Sequence, residues 1–230
     1  MPGRSRTDRS QQLGQHFLGS AHLAARLVAD ARIGAGDRVV DLGAGTGVIT
    51  SALAARAGAV LAIEIDPELA AGLATKFARA SNVTVLRADV RDVPLPCNPY
   101  RVVANPPFGH TAAILRRLLD HPEGGLVRAD LVVQWQVARH RARVSGGAAT
   151  DLVGATWAPW WNFERGRRIP ANLFRPRPAV DAAVLVVSRR DPPLLPAEEF
   201  ERHAAFVRSH WPGRPHYPGL HSQGESANMG

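Results

Sequence analysis

The sequence predicts an α/β fold: a doubly wound, mostly parallel sheet with a short, reduced helical appendage at its C-terminal end. Three observations predict it. Short apolar runs alternate with segments of helical periodicity between His22 and Trp135. A glycine-rich turn joins the first of those runs to the helix that follows. Beyond Arg190 the alternation lapses, leaving one helical stretch and a polar tail.

After a polar, arginine-bearing start, His22 to Arg32 sets Leu23, Leu27 and Val28 at helical spacing, and Gly34-Ala35-Gly36-Asp37 breaks it. Arg38 to Leu42 is a short apolar run of the kind that both faces of a parallel sheet bury. Val48 to Arg56 then reads as a helix and Val60 to Ile65 as a strand. Pro67 opens a helix at its first turn, running to about Arg79. Val83 to Leu86 and Arg101 to Ala104 are strands, Thr111 caps a helix through Leu119, and Leu131 to Trp135 is a further strand. The expected division is a polar N-terminal arm over 1–20, a main domain over 21–190, a short helical segment over 191–210 and a disordered tail over 211–230.

Composition narrows the class. Hydrophobic residues at 45% and charged residues at 21% are those of a folded globular chain. No apolar run approaches the length of a membrane span, and no secretory signal opens the sequence. The single cysteine, Cys97, excludes an internal disulfide and a multi-cysteine zinc site, so no metal is expected. A cytoplasmic monomer is the expectation. The formal net charge is +8, and Lys76 is the only lysine, an arginine bias that fits a GC-rich genome. The placement of charge is more informative. Asp41 to Tyr100 holds five basic and six acidic residues, whereas Arg128 to Arg190 holds eleven and four. A near-neutral half followed by a basic half points to a polyanionic partner for the second.

The turn Asp41-Leu42-Gly43-Ala44-Gly45-Thr46-Gly47 lies where a strand hands over to a helix. Glycines there let the backbone pass close to a ligand. The G-x-G-x-G spacing differs from the G-x-G-x-x-G of dinucleotide folds and favours S-adenosylmethionine (AdoMet). Asp41 would support the loop or the methionine amine. Glu64, ending the next strand, can accept both ribose hydroxyls, and Asp89, ending the third, can take the adenine amine.

The fourth strand ends in Asn105-Pro106-Pro107-Phe108. An exocyclic amine of a nucleobase is a poor nucleophile because its lone pair is delocalised into the ring. Two acceptors on its N–H bonds can draw the nitrogen out of plane. The Asn105 side-chain oxygen and the Pro106 carbonyl suit that role, and Phe108 offers a stacking face. Orientation then carries most of the rate. Asn105, Pro106 and Phe108 are therefore the candidate catalytic residues.

Gln15-His16-Phe17-Leu18, Asp41 to Gly47, Glu64, Asp89, Asn105 to Phe108 and Phe174-Arg175-Pro176-Arg177-Pro178-Ala179-Val180 follow one another in an order that resembles the ribosomal RNA adenine methyltransferases. That superfamily holds the Erm macrolide-resistance enzymes and the KsgA small-subunit dimethylases. Gln134 to Arg139 and the aromatic cluster Trp157 to Phe163 look more like Erm proteins of actinomycetes. The resemblance implies a Rossmann-like class I AdoMet-dependent methyltransferase. It places cofactor contacts on His16, Leu18, Gly43, Glu64, Asp89 and Asn105, with Gly45 in the same loop, and a flipped adenine between Phe108 and Phe174. Two departures stand out. His16 replaces the usual asparagine, and Asn-Pro-Pro-Phe replaces Asn-(Ile/Leu)-Pro-Tyr.

An adenine in folded RNA must be extruded to reach a methyl donor. Arg139, Arg141, Arg143, Arg165, Arg167, Arg168, Arg175 and Arg177 are the candidate backbone contacts. Of Trp157, Trp160, Trp161 and Phe163, most are expected in the core. The resemblance implies N6-methylation of an adenine in 23S ribosomal RNA, with resistance to macrolides, lincosamides and streptogramins. The alternatives are a KsgA-like 16S dimethylase, a protein glutamine N-methyltransferase, an NAD oxidoreductase and a non-catalytic RNA-binding module.

Overall fold

The computed structural model describes residues 16–142 and 152–210. Its centre is a seven-stranded sheet in the order β4-β3-β2-β5-β6-β9-β7. The strands are β2 (Arg38–Leu42), β3 (Ala59–Glu64), β4 (Val83–Arg87), β5 (Tyr100–Ala104), β6 (Leu126–Gln134), β7 (Trp161–Ile169) and β9 (Ala182–Arg189). The neighbours from β4 to β6 pair in parallel. β9 runs antiparallel to both β6 and β7. The order reverses at β2, so the carboxyl ends of β2 and β5 flank the crevice where such sheets hold ligands.

The helices explain themselves locally. Ser20 caps α1 (Ala21–Asp30) through its hydroxyl, and Leu23, Leu27 and Val28 turn inward. α2 (Val48–Ala54) follows the glycine turn. Asp66 caps α3 (Pro67–Lys76), whose first residue is proline. α4 (Thr111–Leu119) buries Ile114, Leu115, Leu118 and Leu119. α5 (Trp135–Arg141) and α6 (Leu152–Trp157) are short. α7 (Phe200–His210) buries Phe200, Ala204 and Val207. No helix among the described residues is long and apolar enough to cross a membrane.

The core lies in two main layers. Val39, Val103, Val132 and Ala182 meet α1 and α2 on one face. Val40, Val102, Leu131 and Leu185 meet α4 and the aromatic cluster on the other. Trp157, Trp160, Trp161 and Phe163 are all buried. The Trp157 indole donates to Asp120 and the Trp161 indole to the Leu119 carbonyl, so their polar edges are satisfied.

Three features differ from the sequence reading. Of the expected N-terminal arm over 1–20, residues 1–15 lie outside the described residues, and the part that follows joins the fold. Phe17–Leu18 make strand β1, which pairs antiparallel with β8 (Phe174–Arg175) in a two-stranded ribbon. Trp135 opens α5 rather than ending a strand. β7 and β9 complete the sheet where the sequence reading placed no strands. The tail over 211–230 lies outside the described residues.

Candidate functional site

β2 delivers Asp41 to the sheet's carboxyl end, and the chain then turns through Gly43, Gly45 and Gly47, all with positive φ. At Gly43 a Cβ would come within 3.3 Å of the Pro107 ring, and at Gly45 within 2.8 Å of the Phe17 ring. The loop is braced from behind. Gly43 and Ala44 donate their N–H groups to the Ile63 carbonyl, and Gly45 donates to Glu64 Oε2 at 2.8 Å. Lys76 Nζ donates to the carbonyls of Thr46 and Gly47. Asp41, only 1% exposed, accepts the Thr50 hydroxyl at 2.7 Å. Burial, reinforced by the Glu64 charge, outweighs that hydrogen bond and pushes the Asp41 pKa up to about 7.

The β1–β8 ribbon forms the other wall. Leu18 pairs with Phe174 and Phe17 with Arg175. His16 precedes the ribbon and ties it to β5: its Nδ1 donates to the Pro176 carbonyl, and its own carbonyl accepts from Asn105 Nδ2 at 2.7 Å. With its amide nitrogen held there, Asn105 leaves Oδ1 buried and without a hydrogen-bond partner among the described residues. Buried acceptors of this kind are rare and call for an explanation. Between these walls lies a solvent-open cleft lined by His16, Leu18, Asp41, Gly43, Asn105 and Pro107 among others.

The structure thus brings together His16, Leu18, Asp41, Gly43 and Asn105, with Pro106 and Phe108 immediately beyond. The two nucleoside acids stand apart from this cleft. Glu64 is buried behind the glycine loop, accepting from Gly45 on one oxygen and Asp66 on the other. Asp89 is engaged by the Arg91 guanidinium, which, with the Arg91 backbone N–H, brings its pKa down to about 2. The expected sandwich is not formed. Phe174 is fully buried in the α1-side core and meets Phe108 edge-on, centroids 6.0 Å apart and planes at 71°, so no slot separates the rings. Phe108 remains half-buried, with the His16 ring tilted against it at 5.3 Å.

The arginines separate in the same way. Arg139, Arg165, Arg168, Arg175 and Arg177 are exposed. Arg167 pairs with Asp30, Arg168 with Asp181, and Arg175 donates to nearby carbonyls of Asn172 and Phe174. Arg141 is 8% exposed and faces the interior, which corrects its placement on an RNA surface. Arg143 lies outside the described residues. Sequence reasoning missed Thr50, Phe17 and Pro176. Only Thr50, polar and facing inward in the first turn of a mostly apolar helix, carried a local signal; the others gain their roles from pairing across the chain.

The fold is that of class I AdoMet-dependent methyltransferases. The crystal structure of the 23S rRNA methyltransferase ErmE superposes with a TM-score of 0.73 at 32% identity, covering 84% of this chain and 77% of that one. A Plasmodium falciparum dimethyladenosine transferase gives 0.74 at 20% identity, a likeness of fold, over 84% of this chain and 70% of that one. An rRNA adenine N-6-methyltransferase of Corynebacterium diphtheriae is 36% identical over 196 residues, 85% of this chain and 75% of its own length. The mycinamicin-resistance protein MyrB of Micromonospora griseorubida is 39% identical over 80% of this chain. The chain spans 57% of MyrB and 53% of an rRNA adenine N-6-methyltransferase of Saccharopolyspora erythraea that it also matches. The ribosomal RNA adenine dimethylase family matches residues 6–212, and the chain belongs to that family.

Proposed function

We propose that this protein transfers a methyl group from AdoMet to the N6 amine of an adenine in 23S ribosomal RNA, and that the modification confers resistance to macrolides, lincosamides and streptogramins. One observation carries the reading: the buried, unpartnered Asn105 Oδ1 beside the glycine-loop cleft. Its amide cannot rotate without giving up the His16 carbonyl, so the oxygen is fixed as an acceptor before any substrate arrives. An amine N–H is the partner that satisfies it.

The residues present fit the cofactor. Glycines clear its path and Asp41 supplies a carboxylate for a cationic amine. When bound, AdoMet supplies an electrophilic methyl group on its sulfonium. Asn105 and the Pro106 carbonyl accept the two N–H bonds of the target amine and turn its lone pair out of the ring plane. Phe108 stacks on the base and keeps it flat. The Erm-type relatives support 23S rRNA as the target, and the MyrB likeness supports the resistance role.

A second reading is 16S dimethylation. It has support in a small-subunit rRNA methyltransferase A of Moorella thermoacetica, 33% identical over 211 residues. Labelled AdoMet with protein-free 23S or 16S rRNA, followed by primer extension, separates the two. Label is expected in a single adenine of 23S rRNA. Asn105→Ala should lower turnover by about a thousandfold or more while AdoMet affinity stays within about tenfold. Retained turnover in that variant, or label in 16S rRNA alone, overturns the proposal.

A further inference from the structure

β7 contains a device that the catalytic cleft does not use. Along a regular strand successive side chains alternate, so Arg165 and Arg168 would point to opposite faces. In this strand Arg165 pairs with Leu185 and Arg168 with Ala183, so three steps on β7 match two on β9. The extra residue rotates the strand and brings both arginines to one face. Gly166 lies at this irregularity, where a Cβ would come within 3.2 Å of the Val184 side chain. Arg167, between the two, turns away to pair with Asp30 at 2.8 Å.

Both arginines meet the same ring. The guanidinium carbons of Arg165 and Arg168 lie 4.7 and 4.9 Å from the centre of the Trp135 indole. Trp135 is itself held, its main-chain N–H donating to the Asp181 carbonyl and its ring packed on the core. The Asp181 carboxylate holds Arg168 at 2.7 Å and accepts the Ala171 N–H. In register, Gln134, Ala182 and Ile169 stand at one level. The cluster therefore sits at the carboxyl end of β6, beside the strand end that carries Asn105.

We propose that Trp135 is a positioning residue that holds Arg165 and Arg168 as a paired grip for RNA backbone phosphates at the rim of the methyl-transfer site. A guanidinium held over an aromatic ring can still offer N–H groups to phosphate oxygens; in Arg168 the Nε and one terminal nitrogen already meet Asp181, which leaves the other terminal nitrogen for phosphate. The bulge and the indole together remove the rotamer freedom that two long side chains would otherwise lose on binding. This inference rests on the RNA reading above.

The test is filter binding of labelled, protein-free 23S rRNA between about 50 and 200 mM salt. Trp135→Leu should shallow the log–log salt slope by about 1.4, two phosphates at about 0.7 each, and weaken binding by about tenfold at the low-salt end. Trp135→Phe keeps an aromatic face and should bind within about threefold of the parent. AdoMet affinity should not move in either. The double variant Arg165→Gln/Arg168→Gln, at exposed positions, should reproduce the loss, and adding Trp135→Leu to it should cost nothing further. An unchanged slope in the double variant, fully additive losses, or tighter capture of polyglutamate than of RNA each overturn the inference. If the parent protein binds AdoMet but shows no salt-dependent RNA affinity, the functional reading itself fails. If it binds RNA and Trp135→Leu binds equally well, only the role of Trp135 falls.

Discussion

The imidazole Nδ1 of His16 lies 2.8 Å from the carbonyl oxygen of Pro176, across a separation of 160 residues. A carbonyl can only accept, so Nδ1 carries the proton. Through its main-chain oxygen the same residue fixes the Asn105 amide, and through its ring it touches Phe108. One residue thus joins strand β1, the β5 end and the segment after β8, the last through its side chain. One ring N–H is enough for the Pro176 carbonyl, so histidine serves at the position where the sequence resemblance implies asparagine.

Removing that link should loosen the site without unfolding the sheet. His16→Ala gives up a partly buried hydrogen bond of about 1 kcal/mol, which corresponds to about a fivefold loss. Calorimetric AdoMet affinity and turnover should both fall by about that factor, whereas His16→Asn should retain most of each. Unchanged affinity in His16→Ala would show that the ribbon holds without the histidine.

Phe108 and Phe174 should respond differently to truncation. Phe174 is a core residue, so Phe174→Ala should cost about 3–5 kcal/mol and lower the melting temperature by about 10 °C. Phe174→Leu should keep turnover within about threefold. Phe108→Ala should leave melting nearly unchanged and raise the RNA KM, since base stacking is worth about 1–3 kcal/mol. A large loss of turnover in Phe174→Leu at unaltered melting would mean that the ring leaves the core to reach the base.

Cofactor affinity should depend on pH through Asp41. Its folded pKa is raised to about 7 by burial, so at lower pH the group is protonated and neutral. A cationic ligand favours the carboxylate, and AdoMet binding should therefore tighten as pH rises from about 6 to 8 with a proton released. Stability runs the opposite way. A carboxyl group with a raised folded pKa contributes stability in full below its ordinary value of 3.8, and that contribution is lost as pH climbs through about 7. Asp41→Asn should flatten both profiles, read by calorimetry in buffers of different ionisation heat and by chemical denaturation. A pH dependence that survives the substitution points to another group.

Arg141→Ala should act on folding rather than on RNA. The residue is buried at the end of α5, so the variant should lose about 2 kcal/mol of stability through lost packing and pairing. Its salt slope for RNA should match the parent. A shallower slope with unaltered stability would return Arg141 to the RNA surface.

The central strands and the glycine turn were legible because their signals are local: Val39, Val40 and Leu42 are apolar on both faces, and positive φ demands glycine. The β9 run Ala182 to Val187 is equally apolar, yet its place between β6 and β7 depends on partners distant in sequence. The same holds for the site. Asn105 could be assigned from its neighbours, but the direction of its amide depends on the His16 carbonyl 89 residues away. The fate of Phe174 was hidden for a similar reason. A Phe-x-Pro-x-Pro pattern specifies a turn, whereas burial of the ring depends on Leu18 pairing beside it. Arg141 looked like its exposed neighbours because a seven-residue helix is too short for periodicity to tell its faces apart.

The β1–β8 ribbon also joins two distant stretches of the chain around one wall. Strands β2 to β6 and the glycine turn all precede residues 174–176 in the sequence, yet the wall that steadies Asn105 needs those residues. A chain ending between β6 and Phe174 would carry the glycine turn without that wall.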